Sequence, residues 1–156
     1  MALTMKDSAN VAVLPPLIPV AAIGLGLLLH LLFPEAFLPE GVATLVGVLL
    51  IASSVVLVAA AASELTKART AFDVRKSTTS LVSTGVFRLS RNPVYFSMML
   101  LCVGIATTAN SLAMLLLSVP AGSMLCLLVI RPEESYLERK FGIAYLAYKA
   151  RVRRWL

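Results

Sequence analysis

Long apolar runs broken by shorter polar segments dominate the chain. Three stretches carry no Asp, Glu, Lys or Arg over a membrane-spanning length: residues 11–33, 41–62 and 94–130. A helix needs roughly 20 residues to cross the hydrocarbon core of a bilayer. The second run has 22 residues and the third has 37, close to two spans. Within the third, Thr107, Thr108, Ala109, Asn110 and Ser111 form a cluster of small and polar residues suited to a tight helical hairpin. The pattern therefore predicts four transmembrane helices, over residues 11–33, 41–62, 94–108 and 111–130. Pro15, Pro16 and Pro19 restrict the first to a later start, and Pro120 is expected to kink the fourth.

Composition agrees. The chain is 59% apolar and only 14% charged, with a mean hydropathy of +0.89, whereas soluble domains average about 25% charged residues. That excludes an ordinary cytosolic globule, a disordered chain and a nucleic-acid module. The length fits one membrane domain over residues 1–156. Cys102 and Cys126 sit inside apolar runs and form no metal or disulfide pattern. The first apolar run is too long and too rich in proline for a cleaved signal sequence, so it is expected to be a retained span.

Charge sets the expected orientation. Lys6 precedes the first span. Lys67, Arg69, Arg75, Lys76, Arg88 and Arg91 lie between the second and third. Arg131, Arg139, Lys140, Lys149, Arg151, Arg153 and Arg154 follow the fourth. Residues 34–40 hold two Glu and no basic residue. Four spans place every basic group on one side, the cytosol by the positive-inside rule, with both termini there. A bacterial inner membrane is the default setting. The spans themselves hold no Asp, Glu, Lys or Arg, which argues against a pump, a channel or a small multidrug transporter. His30, near the outer end of the first span, reads as an interfacial or hydrogen-bonded histidine. Gly24, Gly26, Gly41, Gly47 and the alanines at 59–62 permit close helix packing, within the chain or across a homodimer.

Chemistry is then expected at the cytosolic face, on two polar segments. The first ends in Thr84, Gly85, Val86, Phe87, Arg88, Leu89, Ser90, Arg91, Asn92, Pro93, Val94 and Tyr95. Gly85 suits a turn or a close ligand, and Pro93 suits the first turn of a helix. The plain alternative is a basic loop lying on anionic lipid. The second segment opens with Arg131, Pro132, Glu133 and Glu134, where proline and acids suit a helix start. Leu137 and Phe141 form an apolar stripe, Gly142 reads as a helix end or hinge, and Tyr145, Tyr148, Val152 and Trp155 recur at helical spacing. An amphipathic helix on the bilayer accounts for most of this. It does not account for Glu133 and Glu134, which repel anionic headgroups and call for a cationic partner, either a ligand or the facing Arg88 and Arg91.

Together the two segments resemble the isoprenylcysteine carboxyl methyltransferases and the related phospholipid methyltransferases. Thr84, Gly85, Phe87, Arg91, Asn92, Pro93 and Tyr95 follow the pattern T-G-x-[YF]-x-x-x-R-[HN]-P-x-Y. Glu133, Glu134, Leu137, Phe141, Gly142, Tyr145 and Tyr148 follow E-E-x-x-L-x-x-x-[FY]-G-x-x-Y-x-x-Y. The resemblance covers residues 80–156, and the two motifs in order make it specific. It implies an all-α integral membrane enzyme whose cytosolic-face cofactor site is built from the loop between helices two and three and the C-terminal helices. The cofactor implied is S-adenosylmethionine, leaving S-adenosylhomocysteine, and the acceptor is lipophilic or prenylated. By the resemblance, Gly85, Phe87, Arg91, Asn92, Pro93, Tyr95, Glu133, Glu134 and Tyr145 hold the cofactor. Catalytic or acceptor-facing roles fall to Asn92, Tyr148 and Arg151. Asn92 stands where the pattern commonly has His; Asn donates and accepts hydrogen bonds but takes no proton at neutral pH.

Methyl transfer suits these residues, because a sulfonium donor is already activated and the protein need only position it and exclude water. A carboxylate acceptor suits Arg88, Arg91 or Arg151. Two other classes stay open. One is a nicotinamide-dependent membrane reductase of sterol-reductase type, whose C-terminal pattern Lys140, Phe141, Gly142 and Tyr148 also fit. The other is a non-catalytic membrane scaffold, should Asn92 mark lost activity.

Overall fold

The structure, a computed structural model, describes residues 9, 11, 13–70 and 77–156. Lys6, Arg75 and Lys76, which figured in the sequence reading, lie outside the described residues. Among those described the chain is all helical: α1 Leu17–Leu32, α2 Glu40–Lys67, α3 Pro93–Thr108, α4 Leu112–Leu125, α5 Arg131–Phe141 and α6 Ile143–Arg151. A 3-10 turn, Gly85–Arg88, precedes α3.

Each boundary has a local cause. α1 starts after Pro15 and Pro16, as their fixed φ and missing N–H require. α2 opens after Pro39 and runs through Lys67, beyond the charge-free run. Pro93 takes the first turn of α3. Asn110, at φ +48, turns the chain between α3 and α4 where the small-residue cluster placed the hairpin. Ser111 caps α4 by accepting from the Met114 N–H at 3.3 Å.

The fourth helix departs from expectation. It does not end at residue 130. α4 and α5 form one continuous 30-residue helix, Leu112–Phe141, joined by a π-helical turn at Cys126–Ile130. Pro120 lies inside α4, and a π turn follows it further along the same helix. There the Arg131 N–H donates to Cys126 O, one residue further back than in an α-helix. The following residue is Pro132, whose ring would press on the preceding turn of a regular α-helix. The wider turn relieves that pressure and lets the helix continue.

α2 packs along α3, α1 along α4, and α3 beside α4. Both main crossings pivot on glycine. A Cβ on Gly47 would stand 2.1 Å from Thr108 Oγ1 and 2.8 Å from Gly104 O. A Cβ on Gly26 would stand 2.8 Å from Met114 Cα. Small residues thus bring backbones together within this chain, the packing device expected among apolar helices. Ile18, Tyr95, Ala121, Leu125, Val129 and Ile130 form the buried core at one end. At the opposite end Asn110 Oδ1 accepts from the Phe37 and Leu38 N–H groups, both at 3.1 Å, and its Nδ2 donates to Leu38 O at 2.7 Å.

Outward faces are apolar. Leu31, Leu45, Val56 and Val119 are 62–71% exposed. Glu40–Lys67 and Leu112–Phe141 are long and apolar enough to cross a membrane. α1 and α3 are apolar but shorter, at 16 residues or about 24 Å each. Exposed apolar surface of this extent marks a membrane protein.

Candidate active site

Three chain segments meet at the end of the bundle where α1 begins and α2 stops. The loop after α2 is pinned first. Gly85 holds φ +55, and a Cβ there would lie 2.7 Å from the Glu64 carboxyl carbon. Only glycine lets the loop come that close to α2. Glu64 accepts from Thr84 Oγ1 and pairs with Lys67 at 2.9 Å. Further along, the Thr78 N–H donates to the Tyr136 hydroxyl at 3.2 Å, tying the loop to α5.

The C-terminal segment then straps the start of α3. After α6 the chain turns extended at Val152. Arg153 O accepts from the Arg91 N–H at 2.9 Å. Arg154 O accepts from Ser90 Oγ at 3.1 Å and Asn92 Nδ2 at 3.2 Å. Asn92, the N-cap residue of α3, thus makes no side-chain cap and gives its amide to the strap. Trp155 packs against Phe96, with ring centroids 6.3 Å apart.

These contacts enclose a cavity of about 300 Å³, at the small end of the range for ligand pockets. Phe87, Arg91, Asn92, Pro93, Tyr95, Glu133, Tyr145 and Tyr148 all line it. The two motifs, distant in sequence, therefore share one cavity. Its apolar side adds residues the sequence did not single out, among them Leu14, Leu65 and Met98, with Pro15 and Pro16 beside them. Leu14 and Met98 counted in the sequence only as span residues, Leu65 lay past the expected end of the second span, and no local motif distinguishes them.

Glu133 and Glu134 have different surroundings. Glu133 Oε2 accepts from the Tyr95 hydroxyl at 2.6 Å, and the residue opens onto the cavity. It lies on the polar part of the long helix, past the apolar stretch that ends at Ile130. Burial pushes its carboxyl up to about 7, against the Tyr95 hydrogen bond and with help from the neighbouring Glu134 charge. Glu134 turns away and is buried. Burial pushes its carboxyl up too, but the Arg154 hydrogen bonds and the Arg91 charge outweigh this and hold it below the ordinary range. Arg154 binds it through two nitrogens, Nε to Oε1 at 3.1 Å and Nη2 to Oε2 at 2.7 Å, and Arg91 Nη2 lies 3.1 Å from Oε1 as well.

Tyr148 donates its hydroxyl to Phe87 O at 2.6 Å and stands edge-on to Tyr145, at a centroid distance of 6.2 Å. Burial raises both phenols, so both stay protonated hydrogen-bond donors. Gly142, at φ +51, makes the bend that turns α6 back over the cavity. Three expected site residues do not line it. Gly85 shapes the loop, Glu134 anchors the arginines, and Arg151 is exposed on α6, donating Nε to its own helix at Ala147 O, 3.2 Å away. Arg88 is likewise exposed. Arg154, counted in the sequence only as part of a basic end, is the residue that grips Glu134.

A family model described as phospholipid methyltransferase matches residues 42–144. The chain belongs to this family. Membership in the phospholipid methyltransferase family makes the protein a membrane-associated methyltransferase. The matched region contains all but the first two residues of α2, then α3, the long helix and most of the cavity wall. No curated protein and no solved structure matches the chain.

Proposed function

We propose that the chain transfers a methyl group from S-adenosylmethionine to a lipid acceptor at the cytosolic face of the membrane, with all four apolar helices crossing the bilayer. The observation that carries this reading is the cavity shared by both motifs, where one open carboxylate stands among aromatic rings. The residues suit the cofactor's chemistry. Glu133 offers a carboxylate to an ammonium group, and Tyr95 holds that carboxylate in place. The faces of Phe87, Tyr145 and Tyr148 suit a sulfonium. The cofactor supplies an activated methyl group when bound. The chain's own part is to align donor and acceptor and keep water out. The Tyr148 bond to Phe87 O closes the wall. Leu14, Pro15, Pro16 and Met98 give the cavity an apolar side suited to an acceptor arriving from lipid. Basic groups clustered at this end support its facing the cytosol, with both termini there.

The family supports a phospholipid amine headgroup as acceptor. The motif residues at 84–95 and 133–148 support a prenylated cysteine carboxylate about as well. Calorimetry on the detergent-purified protein tests the cofactor. S-adenosylhomocysteine should bind and NADPH should not; the reverse would establish a reductase instead. Methyl transfer from labelled S-adenosylmethionine then separates the acceptors, with phosphatidylethanolamine vesicles against N-acetyl-S-farnesylcysteine. Cofactor binding with no transfer to any lipid would refute the acceptor reading.

A further inference from the structure

A second concavity lies along the long helix. It is a groove of about 540 Å³ and shares no lining residue with the cavity. Its trough is Ser118, Gly122, Ser123 and Cys126, one stripe of Leu112–Phe141, and its polar end is Arg131 and Trp155. Arg131 and Glu133 stand two positions apart, about 200° around a helix, so groove and cavity open on different faces. Small side chains make the trough. A Cβ on Gly122 would meet only the Met99 side chain within 4 Å, at 3.5 Å. Ser118 and Ser123 turn their hydroxyls onto their own helix, donating to Leu115 O at 2.6 Å and Val119 O at 3.1 Å, which leaves an apolar surface. From Ser118 to Cys126 the helix rises about 12 Å, close to the depth of one leaflet's hydrocarbon, about 15 Å. The polar end is cationic. Arg131 is exposed, and among the described residues no carboxylate pairs with it. Glu134, one turn on, is taken up by Arg91 and Arg154. Arg154 Nη1 also reaches Cys126 Sγ at 3.7 Å, so a second guanidinium backs the groove wall.

We propose that the groove holds an anionic phospholipid of the cytosolic leaflet, one acyl chain along the trough and the phosphate at Arg131. A second transmembrane helix would also pack on small residues, but it brings nothing to the unpaired guanidinium at the end of the stripe. A phosphate does, since a guanidinium matches its oxygens. Trp155 completes the fit, because an amphipathic ring belongs at headgroup level. A net negative headgroup gains over a zwitterionic one beside these basic groups. The proposal rests on the placement of the helices across the bilayer given above, and is independent of the reaction the cavity runs.

Trp155 is the single tryptophan of the chain and stands in the groove wall, so its fluorescence reports the occupant. The full chain is placed in phosphatidylcholine nanodiscs doped with phosphatidylglycerol or phosphatidylcholine brominated in the acyl chains. Brominated phosphatidylglycerol should quench Trp155 at about fivefold lower mole fraction than brominated phosphatidylcholine. Arg131→Gln, a change on an exposed side chain, should bring the two lipids level. Gly122→Leu, which fills the trough, should weaken quenching by both. Equal quenching in the wild type, or a preference that survives Arg131→Gln, overturns the proposal. So does a Gly122→Leu variant quenched like the wild type, which puts the chain on another face. If Gly122→Leu does not fold, the two lipids against the wild type and Arg131→Gln still decide. Quenching by neither lipid also overturns the proposal. Where dilution to one chain per nanodisc restores quenching, a second copy fills the groove; where it does not, the membrane placement itself fails.

Discussion

Glu133 and Glu134 are neighbours of the same type with opposite circumstances. One is held open to the cavity by a tyrosine, and the other is closed off by two arginines. Different surroundings let two carboxyls serve two purposes. Glu133 titrates near pH 7, raised by burial. Below that pH it is neutral and has no charge to offer an ammonium group. Affinity for S-adenosylhomocysteine should therefore rise as pH goes from 6 to 8, and Glu133→Gln should lower it and flatten the profile. Calorimetry at each pH checks both. Glu134→Gln should act on the fold, because it leaves the buried Arg91 guanidinium and the partly exposed one of Arg154 without their carboxylate. Losses of about 3–5 kcal/mol are typical for breaking such a pair, visible as a lowered thermal midpoint in detergent. The acid pair was plain in the sequence, but the division of labour was not. Adjacent residues on a helix point about 100° apart, and nothing local says which faces the cavity. The sequence offered Arg88 and Arg91 to the acid pair; Arg91 does contact Glu134 and Arg88 is exposed, but spacing could not choose Arg154. That choice follows from the extended backbone at Val152, which turns the strap back across α3.

The elements show where pattern reading succeeds and where it stops. Prolines placed the starts of α1 and α3, and the polar cluster around Asn110 placed the hairpin, because each acts through its own backbone. The continuity of Leu112–Phe141 was hidden, since Pro132 followed by acids looks like a new helix start. The π turn before it accommodates the ring and carries one residue more than a regular turn would. Deleting Leu128 should restore α-helical spacing and rotate α5 by about 100°. The expected result is unchanged helical content by circular dichroism with loss of S-adenosylhomocysteine binding; retained binding would show that the π turn does not set the aim of Glu133. The glycine crossings make a second test. Gly47→Ala forces a Cβ into Thr108, an overpacking that costs roughly 1–3 kcal/mol. Gly24→Ala meets nothing within 4 Å and should leave the melting temperature unchanged.

Across the molecule the two ends have separate tasks. One is knotted by Asn110 to the backbone at Phe37 and Leu38, and the other holds the cavity. Asn110→Ala should lower thermal stability without changing ligand affinity, whereas ending the chain after Val152 should weaken ligand binding by removing Arg154 and Trp155. A pair of melting and calorimetry measurements on each variant separates the effects. The motif resemblance spoke only for residues 80–156, yet the family match begins at residue 42. α2 earns that inclusion by supplying Glu64, against which Gly85 folds, and Leu65, part of the cavity wall. Both residues lie past the charge-free run and belong to neither motif, so nothing in the sequence marked these duties. The unbroken length of Leu112–Phe141 has a mechanical consequence. In the proposed topology the apolar half lies in lipid, and it joins the carboxylate-bearing half in one helix, with no loop between them to absorb a shift. Host-membrane thickness therefore sets how far Glu133 rides above or sinks toward the acyl chains, and turnover should vary with the acyl length of the surrounding lipid even when the acceptor is kept the same.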